Sequence, residues 1–181
     1  SANTWPALPI KKLRTWGINV YGELGLGNTT YYSSPKQVGT KTDWSFQAPT
    51  PVTDTFLHVK YDGTLWVWGQ NAWGKMGIPT AVGNYSSPKQ VGLSTNWSKA
   101  FIGGVHSVGI RTDGTLWTWG YNAFGQLGNG TNSNSYSSPI QIGALTNWKQ
   151  TSSGGYYKAA ITYPLSSGYF PSTSGTGSGV Y

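Results

Sequence analysis

The chain has 181 residues, of which only 9% are charged, against roughly a quarter in an average soluble domain. Twelve Lys and Arg outweigh five Asp and Glu, a formal +7, but no basic run exceeds Lys11-Lys12, which argues against a phosphate-binding stripe and against nucleic acid as partner. The absence of cysteine excludes disulfide frameworks and thiolate metal sites, and no apolar run approaches the ~20 residues that span a bilayer.

In chain order, residues 1–11 form an N-terminal extension and 12–47 a partial first repeat, "KLRTWGINVYGELG" followed by "YSSPKQVG". Residues 48–98 and 99–149 hold a second and third repeat, with "DGTLWVWGQNAWGKMG" and "DGTLWTWGYNAFGQLG" at their centres. Residues 150–163 begin a fourth, and 164–181 are a Gly/Ser/Thr-rich tail. Trp16, Trp68 and Trp119 lie 52 and 51 residues apart, and Trp44, Trp97 and Trp148, which close their units, 53 and 51 apart. Agreement between separate markers makes this a repeat protein before anything else.

Within a unit the signals are those of short strands. Asp62-Gly63 and Asp113-Gly114 stand between β-branched and aromatic runs, which predicts hairpins bent by type I′ turns. After the turn, Leu65 and Val67 point to one face and Trp66 and Trp68 to the other. Both faces are bulky, so each sheet is expected to lie between two similar sheets, as a propeller blade does. The later Ser-Ser-Pro predicts the start of another strand. No helix-length amphipathic pattern occurs, so the expected fold is all-β: propeller-type blades of about 51–53 residues in about three repeat units, with an incomplete ring or blades completed between chains.

The Trp-Gly-x-Asn-x-x-Gly-x-x-Gly core and the Gly103-Gly104-Val105-His106-Ser107 segment resemble the regulator of chromosome condensation repeat over roughly residues 12–162. The resemblance implies four-stranded propeller blades, seven of which close the ring in well-known members. It also implies bacterial or phage-type copies, in which near-identical "SSPKQVG" units are common in virion and surface proteins. At the family's histidine position the fourth unit has Tyr157, and Val52-Thr53-Asp54-Thr55 departs from the motif, so "QAPTPVTDTF" is expected to bend differently.

The first unit lacks the hairpin strands that should precede "KLRTWG", and the last lacks the "DGTLWTWG" that should follow "GGYYKAAIT". Two explanations stand at this point: strands shared between chains, or a piece of a longer polypeptide. On the first, Leu13, Arg14, Thr15 and Trp16 and, at the other end, Tyr156, Tyr157, Ala159 and Ile161 form complementary assembly edges.

No catalytic constellation is visible. His58 and His106 occupy different repeat positions, His106 is expected in a structural hydrogen bond, and Asp62 and Asp113 are explained by their turns. No enzyme activity, metal or cofactor is predicted. The non-repeating aromatics Trp5, Tyr21, Tyr31, Trp73 and Tyr121 are the surface-contact candidates. The expected function is a structural or interaction module of a virion (capsid decoration, tail or fibre) or other extracellular or cell-surface assembly, with protein subunits, itself among them, as partners. One alternative is a glycan or receptor-binding module, and the second is the guanine-nucleotide exchange or chromatin binding for which the family is named.

Overall fold

The structure, a computed structural model, describes residues 11–45, 54–80, 83–132 and 134–162. Trp5 and the tail therefore lie outside the described residues. The described part contains strands and turns and no helix, arranged as four antiparallel sheets in which neighbours in sequence are neighbours in space. β1 (Arg14–Gly17) pairs with β2 (Tyr32–Gln37). β3 (Thr55–Val59), β4 (Leu65–Gly69) and β5 (Tyr85–Gln90) form the second sheet, extended by an antiparallel bridge from Trp44 to Lys60. β6 (Trp97–Ile102), β7 (His106–Arg111), β8 (Leu116–Gly120) and β9 (Tyr136–Gln141) form a complete four-stranded sheet, and β10 (Trp148–Ser153) pairs with β11 (Lys158–Thr162).

This is the all-β blade arrangement the repeats predict, with two differences of detail at the markers. Trp97 and Trp148 do not close a unit but open the first strand of the next sheet. Pro35, Pro88 and Pro139 sit at the fourth position of β2, β5 and β9, not at a strand start. These are the last strands of their sheets, where a missing N–H on the outer side breaks no ladder.

The hairpin turn also differs. Gly63 has φ +76° and Gly114 +79°, but among the described residues Trp73 is the sole non-glycine with positive φ, so neither Asp adopts the conformation that a type I′ turn demands. Instead Gly63 N–H donates to Lys60 C=O at 3.0 Å and Lys60 N–H to Thr64 C=O at 2.9 Å, a type I turn followed by a left-handed glycine. Asp62 Oδ1 accepts from the Thr64 N–H and hydroxyl, whose oxygen accepts from Trp66 Nε1; Asp113, Thr115 and Trp117 repeat this set. "QAPTPVTDTF" does not bend differently where it is described: Thr55 faces Gly69 as His106 faces Gly120, and 47–53 lie outside the described residues.

Leu65 and Val67 bury themselves toward the third sheet with Met76, Trp97, Ala100, Ile102 and Trp119, while Trp68 turns back toward the first with Val38 and Trp44. Val108, Ile110 and Leu116 face the fourth sheet and Trp148. The first two inter-sheet layers are each keyed by one indole: Trp68 Nε1 donates to Glu23 C=O at 2.8 Å and Trp119 Nε1 to Lys75 C=O at 2.9 Å. Both indoles are fully buried, the condition under which an aromatic contributes most.

Candidate interaction surfaces

In the first and third units the segment after the third strand is built by a buried asparagine. Asn19 Oδ1 accepts from Leu24 N–H and its Nδ2 donates to the Asn28 and Thr30 carbonyls; Asn122 binds Leu127 N–H and Thr131 in the same way. The residue four further on finishes the loop. Glu23 accepts from the Val20 and Tyr21 N–H groups, and Gln126 from Phe124 N–H. Lys75 holds this position in the second unit and has no acceptor to offer, so its Nζ donates 3.2 Å to Gln70 and 3.2 Å to the Gly104 carbonyl. Burial lowers its pKa, opposed by the attraction of Asp54.

These loops display an aromatic row. Trp73 and Tyr121 are 4.8 Å apart between ring centroids, Tyr121 and Phe124 6.1 Å, and Phe124 and Tyr156 5.7 Å. Trp73, Phe124 and Tyr156 are exposed, Tyr121 half-buried. Trp73 holds φ +60°, where a bulky side chain is strained, and such strain gathers at functional positions. Of this row the sequence reading names Trp73 and Tyr121 as surface-contact candidates and Tyr156 as an edge residue, and does not name Phe124. The available signal was that Tyr21, Trp73 and Phe124 share one repeat position. Tyr21 itself is half-buried, and Tyr31 is exposed outside the row.

The predicted edge residues divide. Arg14, Trp16, Tyr156, Tyr157, Ala159 and Ile161 are exposed; Leu13 packs on the core around Trp68, and Thr15 is buried with its hydroxyl on Leu24 C=O at 2.6 Å. β1 and β11 each pair on one side only among the described residues. A cavity of about 310 Å³ lies beside β1, lined by Leu13, Thr15, Trp16, Leu24 and Phe56. Another of about 420 Å³ lies between the third and fourth sheets, against Leu127, Trp148, Lys158 and Ala160.

Four titratable groups, Lys60, Arg111, His106 and His58, are tied into the sheets. Lys60 lies 4.7 Å from the Trp44 ring and 4.4 Å from Trp66, and is paired to Asp43 at 3.1 Å. Arg111 lies likewise 4.9 Å from Trp97 and 3.7 Å from Trp117. His106 is fully buried, with Nε2 3.4 Å from Ser153 Oγ of the next sheet. Burial, then the Lys158 charge, lowers its pKa to about 3 against an opposing hydrogen bond to the Tyr157 backbone. His58 is lowered by burial and by Lys60, opposed by the Ser45 carbonyl. Among the described residues no three His, Asp or Glu side chains gather as a metal site.

The model of the regulator of chromosome condensation (RCC1) repeat matches residues 62–110 and 113–161, and a second model of that repeat matches 98–126. The ultraviolet-B receptor UVR8 of Arabidopsis thaliana is 31% identical over 153 residues, 81% of this chain and 34% of UVR8. The mitochondrial RCC1 domain-containing protein RUG3 of the same plant is 27% identical over 157 residues, 82% of this chain and 35% of RUG3. The chain thus spans about a third of the length of these curated relatives. Prp20p of Saccharomyces cerevisiae, whose structure was described with its binding to Gsp1p and histones, superposes with TM-score 0.75 at 19% identity over 86% of this chain and 40% of its own. The repeat period and the blade topology agree with these matches, and the chain belongs to the RCC1 repeat family.

Proposed function

We propose that this chain is a non-enzymatic structural and interaction module, an arc of propeller blades built into a larger extracellular or surface assembly, and in its concrete form a virion component such as a capsid-decoration, tail or fibre protein. The observation that carries the reading is where exposed apolar side chains gather: Trp16 on β1 with Ile18 and Val20 in the loop after it, and Phe124, Tyr156, Tyr157 and Ile161 around the fourth sheet. Exposed apolar groups clustered at sheet edges mark contact surfaces. The 9% charge supports close, repeated contacts, since neutral polar surfaces repel one another weakly. A cryo-electron-microscopy map of the native particle tests the reading. The expected result is this chain seated between neighbours at both terminal sheets; a chain with no neighbour at either sheet overturns it.

The aromatic row favours a second reading, a glycan receptor held on the ring faces of Trp73 and Tyr121. Glycan-array binding that Trp73→Ala abolishes supports it, and unchanged binding counts against it. A small GTPase or histone partner draws support only from the fold-level likeness to Prp20p, and Lys60, Lys75 and Arg111 are already committed inside the sheets.

A further inference from the structure

We infer that the cleft between the second and third sheets is a carboxylate-binding site, in which the guanidinium of Arg111, with the hydroxyls of Ser94 and Ser138 beside it, receives the carboxylate of a small acid or of an acidic side chain. The residues of the site lie on β6, β7 and β9 or in the segments before β5 and β6, inside the run of repeats. The site is independent of the assembly reading above.

The repeats show what Arg111 is missing. Tyr61 N–H donates to Asp43 C=O at 3.1 Å and Thr112 N–H to Asn96 C=O at 2.8 Å, so the two units run in the same register here. In the second unit Lys60 lies against the Trp44 and Trp66 rings, and its ammonium meets the Asp43 carboxylate at 3.1 Å. In the third, Arg111 takes the place of Lys60 against Trp97 and Trp117, but a neutral amide, Asn96, takes the place of Asp43. Lys60 to Asp43 is the one ion pair within 4 Å among the described residues. Arg111, whose guanidinium stays charged, therefore has no carboxylate in contact.

Its donors are poorly served. Nη2 donates to Ser94 Oγ at 3.3 Å, a long bond, and Nε is buried with no hydrogen-bond partner. A guanidinium carries five N–H groups in a fork that matches a carboxylate. Burial lowers the Arg111 pKa, opposed by the attraction of Asp113, whose Oδ1 is already held by the Thr115 N–H and hydroxyl. A half-buried cation with unfilled donors gains more from a charge-assisted bond than one in open water.

The cleft is open at this joint because a clamp is missing. Gly27 N–H donates to Ser86 C=O at 2.7 Å and ties the loop of the first unit to β5. Pro79 stands at the corresponding place in the second unit and has no N–H to give to β9. Beside Pro79 and Pro139 lies a cavity of about 240 Å³, lined also by Arg111, Trp97, Ser94 and Ser138. This is below the range of about 300–1,000 Å³ for drug-sized ligands and suits a short acid or a single side chain. The anion is read from the unit before, where the cation at this position is met by a carboxylate.

The test uses the full chain, labelled with nitrogen-15. Sodium propionate replaces sodium chloride at constant ionic strength while NMR follows the Arg111 Nε–H and the Trp97 and Trp117 indole N–H signals. Saturable shifts with a Kd on the order of millimolar are expected, since a ligand of few atoms binds weakly. Arg111→Gln should abolish them, with the Trp119 indole signal reporting that the fold is kept. Asn96→Asp, which installs the carboxylate of the second unit, should weaken propionate about 10-fold or more and raise the melting temperature. A capped tripeptide with a central glutamate separates the sources: shifts with both ligands assign the site to an acidic side chain of a protein partner, and shifts with propionate alone to a free acid. The assignment is overturned if neither ligand moves these signals, if Arg111→Gln or Asn96→Asp binds propionate like the parent, or if inorganic phosphate moves them as strongly as propionate.

Discussion

At the residue scale the repeats differ where one side chain cannot do its counterpart's work. Lys75 replaces the acceptor supplied by Glu23 and Gln126 and holds a buried ammonium on two neutral oxygens. Lys75→Gln restores the loop acceptor and removes the buried charge, and is expected to stabilise by about 1 kcal/mol, or about 2–4 °C in melting temperature by calorimetry. Trp73→Asn, placing a residue that tolerates positive φ, should leave the melting temperature unchanged or slightly higher while removing an exposed ring. For His106, the folded pKa of about 3 lies below the unfolded value near 6.5, so the unfolded chain binds the extra proton between them. Stability from this group is present above about pH 6.5 and falls as pH drops toward 3, by up to about 1.4 kcal/mol per pH unit. Urea titrations at pH 7, 5 and 4 should show the decline, and His106→Gln should flatten it.

At the element scale the indole between sheets is the unit of cohesion. Trp119→Ala should cost about 3–5 kcal/mol in chemical denaturation, whereas Trp16→Ala, at an exposed ring, should stay within about 0.5 kcal/mol despite its equivalent sequence position. Arg111→Ala should cost about 1–2 kcal/mol through loss of its two ring contacts. The contrast between Trp16 and Trp119 also shows how far the sequence could be read. Strand order, hairpins and the alternation of Leu65, Trp66, Val67 and Trp68 were legible, because period-2 patterning and Asp-Gly turns are local. The cation sites at Lys60 and Arg111 were not, since a ring above and a ring below arise only when three strands take one register. The buried state of Thr15 and Lys75, and the place of Pro35 inside an outer strand, likewise depend on which neighbour covers them.

At the scale of the whole molecule, contacts run from sheet to adjoining sheet, so stability accumulates by neighbour pairs.

The family match at 62–110 begins at one Asp-Gly turn and stops just before the next, so it takes the last two strands of one sheet and the first two of the following. Duplication in that frame is conservative in a way that duplication of a whole blade would not be. Splicing one further copy in at the turn lengthens the arc by a blade, yet leaves β1 and β11 with the same side chains and the same register. Copy number and the chemistry of these two strands can therefore vary independently, and a lineage could lengthen the arc without altering either.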